Sequence, residues 1–226
     1  MFFYDPTLLL IIPAIILATY AQVQIKSTYN KFSKVVSQRG YSGGQLARYI
    51  LDDRRMREVT IESIPGELSD HYDPRSKTLR LSQGVINSNS IAALGIVAHE
   101  IGHAIQDEKS YAPLKIRNSI VPVANLGSGL AFPLFFVGLF AGMPIFMDIG
   151  ILLFALAAVF SIVTLPVEFN ASKLAIKILA DGRYLTAKEL PLAKQVLSAA
   201  ALTYVAATTM AILNLVRLLI LRGSRD

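Results

Sequence analysis

Four long runs of apolar residues constrain this chain more than any other feature: 7–23, 119–141, 145–165 and 196–221. Each is near or above the roughly 17–25 residues that a helix needs to cross hydrocarbon. Inside a bilayer every backbone N–H and C=O must be satisfied within the protein. The runs are continuous rather than alternating, so they predict helices and not barrel strands. Across the 226 residues 53% are apolar and the mean hydropathy is +0.49, high for a water-soluble domain. The expected fold is a mainly α membrane protein with 3–4 transmembrane helices and a small soluble part.

The first run has no basic segment before it and no clean small-residue cleavage pattern after it. It reads as a retained span rather than a signal peptide. Pro13 introduces a kink, and Phe2, Phe3 and Tyr4 suit the interface at its outer end. Only Gly142, Met143 and Pro144 separate the second and third runs, which makes 119–165 a transmembrane hairpin with Asp148 near the headgroups at its tip. The fourth run is richer in Ala, Thr, Ser and Asn and contains Arg217, so a span and a helix buried in protein both stay open.

Lys26, Lys31, Lys34 and Arg39 follow the first run, and no Lys or Arg precedes it. The positive-inside rule then puts 24–118 in the cytoplasm. The hairpin returns the chain to that side near Pro166, and the Lys173, Lys177, Arg183, Lys188 and Lys194 of segment 166–195 agree. Arg222 and Arg225 disagree if 196–221 spans. The expected location is a plasma membrane, multi-pass, with the soluble part in the cytoplasm.

The soluble part reads as short elements. Residues 27–37 continue the first span as an interfacial helix. Ser42, Gly43 and Gly44 cap a helix over about 45–57. A strand is expected at 59–61. Segments 68–72 and 78–82 flank Asp73, Pro74, Arg75 and Ser76, which is turn chemistry for a hairpin. Ser90 caps a helix over 91–106.

That last helix carries His99, Glu100 and His103, spaced HExxH. Residues four apart share a helix face, so the two imidazoles can grip one metal ion and Glu100 can reach a water beside it. Ile96, Val97 and Ile101 bury one side, and Ala98, Gly102 and Ala104 admit a close neighbour. There is no Cys, so any metal is held by His and carboxylates. No His follows His103. The third ligand is therefore a downstream carboxylate, or His71 from upstream. Glu168 is the best carboxylate: it follows Pro166, opens a helical segment over 167–180, and returns to the membrane surface where the hairpin began. Ser172 lies one turn on, placed to hydrogen-bond a ligand. The net charge of +6 lies between the apolar runs rather than among aromatics, which argues against nucleic acid as a partner. The apolar runs hold no His and almost no acidic residue, which argues against a metal transporter.

The stretch from Ala98 to Ala104, followed by Glu168 to Ser172, resembles gluzincin membrane peptidases of the HtpX and CAAX-protease type. More closely, with Ser69 to Pro74, Leu79 to Ser82 and Thr203 to Ala206, nearly the whole chain resembles the YugP-type "putative neutral zinc metallopeptidases" of bacteria. The resemblance implies a small α+β zincin-like (gluzincin) catalytic domain and one Zn2+ per chain. It also implies His99, His103 and Glu168 as ligands, Glu100 as catalytic base, and a polypeptide substrate, membrane proteins among the candidates. Ser172 departs from the HtpX pattern, which has Asp there.

A hydrolysis of this kind needs a further donor for the oxyanion, and His71 and Tyr204 are the candidates. Substrate backbone could add to a strand edge, for which 78–82 is the expected strand, with Leu79 and Leu81 inward and Thr78 and Arg80 outward. The alternative reading is a membrane scaffold or regulator that keeps a metal site with little proteolysis. Oligomeric state is open.

Overall fold

The computed structural model describes residues 6–224, with the side chain of Leu126 excepted. Phe2, Phe3, Tyr4 and Arg225 lie outside the described residues. The chain is mostly helical. A 3-10 turn, Pro6–Ile11, leads into α1, Ile12–Phe32, which runs through Pro13 without a break but ends at Phe32, five residues short of the end of the interfacial helix expected over 27–37. The later helices are α2 (Gly43–Asp53), α3 (Gln83–Ile86), α4 (Ile91–Glu108), α5 (Ala112–Ala141), α6 (Pro144–Asp181) and α7 (Leu190–Gly223). The strands are β1 (Thr60–Ile64), β2 (His71–Asp73) and β3 (Thr78–Ser82).

The chain divides into two compact units. One is made of 1–22, 115–166 and 203–226. Its α5 and α6 form the expected hairpin. Gly142 at φ +68° takes the left-handed conformation that ends α5, and Met143 N–H returns to Gly138 O at 2.9 Å. Phe135, Met147, Phe154 and Leu218 pack together inside this unit. Phe140, Ile145, Leu152 and Leu219 are exposed, a distribution suited to lipid rather than water. Three helical stretches, Pro6–Phe32, Pro144–Asp181 and Leu190–Gly223, are long and apolar enough to cross a membrane. In α5 two segments, Ala112–Asn125 and Gly127–Ala141, meet at 40° and count as a fourth if taken as one broken span.

The other unit is 23–114 with 167–202. Ser42 caps α2 through a capping box with Gln45. The helix stops earlier than expected, at Asp53. Arg55 turns left-handed at φ 59°, Met56 N–H bonds Leu51 O, and the Met56 side chain folds into the core. Leu46, Ile50, Leu79, Leu81, Leu94, Val97, Ile101 and Leu179 form that core, joining α2, β3, α4 and α6.

The sheet order is β1-β3-β2, with β1 parallel and β2 antiparallel to β3. This overturns the expectation that 78–82 is an edge. β3 is the central strand, both its sides are hydrogen-bonded, and no peptide can add to it. Leu79 and Leu81 are fully buried as expected, but Thr78 is buried too, bonding Thr60 across the sheet. The edges are β1 and β2.

Candidate metal centre

The site begins with α4. Ser90 accepts a hydrogen bond from Ala93 N–H at the helix start, and Ile91, Leu94, Val97, Ile101 and Ile105 bury one full face. That burial fixes the rotation of the helix, so His99 and His103 project together on another face, ring centroids 4.8 Å apart.

The partner is Glu168 on α6. The helix does not begin at Pro166, as expected, but runs through it. Proline removes one N–H and leaves Ile162 O without its helical partner, yet in apolar surroundings continuing the helix satisfies all the other backbone groups. Glu168 is thus in mid-helix, so the favourable field of a helix N-terminus plays no part in its placement.

The close approach of α4 and α6 depends on Gly102. A Cβ there would stand 2.8 Å from Ala171 O. Ala171 lies between Glu168 and Ser172 along α6, so the missing side chain at 102 sets the spacing of the ligand-bearing helices.

The result is a convergent triad. His99 Nε2 lies 3.2 Å and His103 Nε2 3.5 Å from Glu168 Oε2. All three are buried, with Glu168 2% exposed. One donor atom from each lies within 4.8 Å of the others. Zinc binds His nitrogen and carboxylate oxygen at about 2.0–2.2 Å, which puts tetrahedral ligand atoms about 3.3–3.6 Å apart. The two spacings to Glu168, and the two-imidazole, one-carboxylate donor set, fit zinc.

The outer nitrogens are also occupied. Ser172 Oγ lies 3.2 Å from His99 Nδ1, and Gln106 Oε1 lies 3.0 Å from His103 Nδ1. Gln106 then donates to Val167 O and Asn170 Oδ1, both at 2.9 Å. Sequence reasoning missed Gln106. Its signal was a polar residue three positions after His103, on the helix face that carries both histidines.

Glu100 is buried beside the triad, and its Oε2 accepts Tyr72 N–H at 3.1 Å. Burial pushes its pKa up; His99 and His103 oppose this, and Glu168 and Asp70 add to it. For His103, burial alone would lower the pKa, but Glu168, Glu100 and Gln106 together hold it above 6.5. Tyr72 also donates its hydroxyl to Asp107 at 3.0 Å. Burial and that carboxylate raise the phenol well above its ordinary value. Strand β2 is thereby fastened to α4 at two points.

His71 and Tyr204 are placed differently. Tyr72 faces the core with its partner Leu79, so His71, paired with Arg80, is on the opposite face of the sheet. His71 is exposed and its Nδ1 bonds Ser69 O at 2.8 Å. The structure does not bring its ring into the triad. Tyr204 stands part-buried on α7, in the other compact unit from the triad.

Comparison with known proteins agrees in its coarse terms. A family model described as "Putative neutral zinc metallopeptidase" matches residues 7–223. The chain is 42% identical over 218 residues to the "Putative membrane protease YugP" of Bacillus subtilis (strain 168), covering 96% of this chain and 97% of that one. No solved structure matches. The chain therefore belongs to the family of "putative neutral zinc metallopeptidases".

Proposed function

We propose that this protein is a membrane-held zinc endopeptidase of the gluzincin kind, with His99, His103 and Glu168 holding one zinc ion and Glu100 as general base. The observation that carries this is the meeting of two Nε2 atoms on one Glu168 oxygen at zinc-ligand spacing, with Glu100 beside them. Bound there, zinc supplies Lewis acidity and a water acidified to a pKa of about 7. Glu100 takes the proton of the attacking water and passes it to the leaving amine. Burial makes the Glu100 carboxyl hold a proton more readily than an ordinary glutamate, which suits a group that takes up a proton and passes it on. Tyr72 N–H holds Oε2, which leaves Oε1 to face the reacting atoms.

The polypeptide lies along β2. Tyr72 N–H points to Glu100 rather than to β3, so the outer edge of β2 borders the base. An extended peptide there meets an edge whose Tyr72 N–H is already given to Glu100, so it is held through the remaining main-chain groups, with little sequence selectivity. The His71 ring bonds Ser69 on the far face of the sheet and is not proposed as the oxyanion donor.

The cytoplasmic orientation rests on the lysines and arginines beside α1 and in the second half of α6. Arg222, which disagrees with that orientation, is paired with Asp148 at 2.8 Å. Glu100→Gln keeps an acceptor for Tyr72 N–H. It binds about one zinc per chain and cleaves no peptide; persistent cleavage refutes the assignment of the base.

A further inference from the structure

His103 and Gln106 are three residues apart on α4, so their side chains meet. Gln106 is 2% exposed. An amide so deeply buried is costly unless its polar atoms are bonded. Here the bonds fix which way it points. Val167 O is a backbone carbonyl and can only accept, so the atom 2.9 Å from it must be the amide nitrogen. The same nitrogen reaches Asn170 Oδ1. The amide oxygen is then the atom that faces His103 Nδ1 at 3.0 Å, and it too can only accept. Glu168 Oε2 also accepts, but it lies 3.5 Å from Nε2, against 3.0 Å from Nδ1 to Gln106, so the nearer acceptor holds the single proton of a neutral His103 on Nδ1 and leaves the Nε2 lone pair towards Glu168. His99 has no such constraint from its neighbour, because the Ser172 hydroxyl can donate or accept.

We infer that Gln106 is a positioning residue that holds His103 in the Nδ1–H tautomer before any metal arrives, with its own orientation set by α6. The inference rests on the zinc reading above. Helix α6 then does two jobs. It supplies Glu168, and through the carbonyl of the preceding residue it dictates which nitrogen of His103 is free to bind. The two ligands are thereby set by one helix, and no proton need change places within the ring when zinc binds.

The test uses the full-length protein in detergent micelles. Nitrogen-15 spectra of the metal-free chain are recorded at alkaline pH, where imidazole is neutral. Only three histidines contribute, and His103 is assigned by its loss in His103→Ala. The native chain is expected to show His103 as Nδ1–H. Gln106→Leu should lose that fixed tautomer and bind zinc roughly 10- to 100-fold more weakly. Gln106→Glu keeps an acceptor at Nδ1, and as the carboxylic acid its O–H donates to Val167 O where the amide nitrogen did. It should keep the tautomer and bind zinc within about threefold of native. A native His103 in the Nε2–H form overturns the inference whatever the variants do. So does a Gln106→Leu protein with native zinc affinity and tautomer. If that variant does not fold, Gln106→Glu decides, and its loss of the tautomer while folded is equally fatal. A native chain that takes up no zinc sinks the zinc reading and this one with it. Native uptake with an indifferent Gln106→Leu sinks this one alone.

Discussion

Adding one methyl group at Gly102 tests how the two ligand helices are held. In Gly102→Ala the new Cβ would sit 2.8 Å from Ala171 O, 3.2 Å from its Cα and 3.3 Å from its carbonyl carbon. All three are backbone atoms of a buried residue, so no side chain can swing away. Ordinary contact begins near 3.4 Å, so α4 and α6 must part by about 0.6 Å at this point. Zinc ligands tolerate displacements of about 0.2 Å. His99 and His103 ride on one of these helices and Glu168 on the other, so the movement opens the 3.2 and 3.5 Å separations directly.

Overpacking of this kind costs about 1–3 kcal/mol. Alanine is the better helix former by about 1 kcal/mol, so the metal-free fold loses at most about 2 kcal/mol. If zinc binding must work against the full 1–3 kcal/mol, its affinity falls about 5- to 150-fold, at about 1.4 kcal/mol per decade. The assay is competition for zinc with a chromophoric chelator in detergent. Gly129→Ala is the control, because nothing lies within 4 Å of a Cβ there. Zinc affinity in Gly102→Ala within twofold of the control would show that helix spacing does not govern the site.

Three further outcomes are expected. Glu168→Ala should purify without zinc by elemental analysis, and full occupancy would move the third ligand elsewhere. Tyr72→Phe removes the bond to Asp107, a charged hydrogen bond of about 1.5–3 kcal/mol when buried and less at this half-buried site. It should speed amide exchange across 71–73 and slow peptide cleavage; unchanged exchange refutes the fastening of β2. Asp73 is held at about 2 by Arg80, then by the N–H of Arg75 and by Ser76, below its ordinary 3.8. A lowered folded pKa stabilises the hairpin fully above 3.8 and loses that effect as pH falls through about 2. Asp73→Asn should therefore exchange faster than native in the hairpin at neutral pH, with the difference shrinking as pH falls from about 4 and vanishing only below about 2; a difference undiminished at pH 2 argues against the ion pair.

Features that depend on near neighbours were legible before the structure. The apolar runs, the Ser42 and Ser90 caps, the Gly142 turn and the 73–76 hairpin are each written in a few consecutive residues. The joining of Glu168 to the two histidines could be anticipated because a tight helical hairpin must bring its ends back together. Strand order was not legible. β1 pairs with β3 in parallel, and nothing in five residues records which neighbour lies across a sheet. Pro166 misled for a different reason: its local preference to end a helix lost to the need to keep the backbone bonded in apolar surroundings. Gln106 was hidden because its value lies in partners some sixty residues away on α6, at Val167 and Asn170.

The order of the ligands along the chain also has a consequence in time. His99 and Glu168 are 69 positions apart, and the α5–α6 hairpin is made between them. At synthesis rates of about 5–20 residues per second, the histidines precede the third ligand by about 3–14 s. A nascent chain therefore cannot assemble the three-ligand site until both arms of the hairpin have been translated. The three candidate ligands can meet only after α1 and both arms of the α5–α6 hairpin have been made, while α7 is still to come.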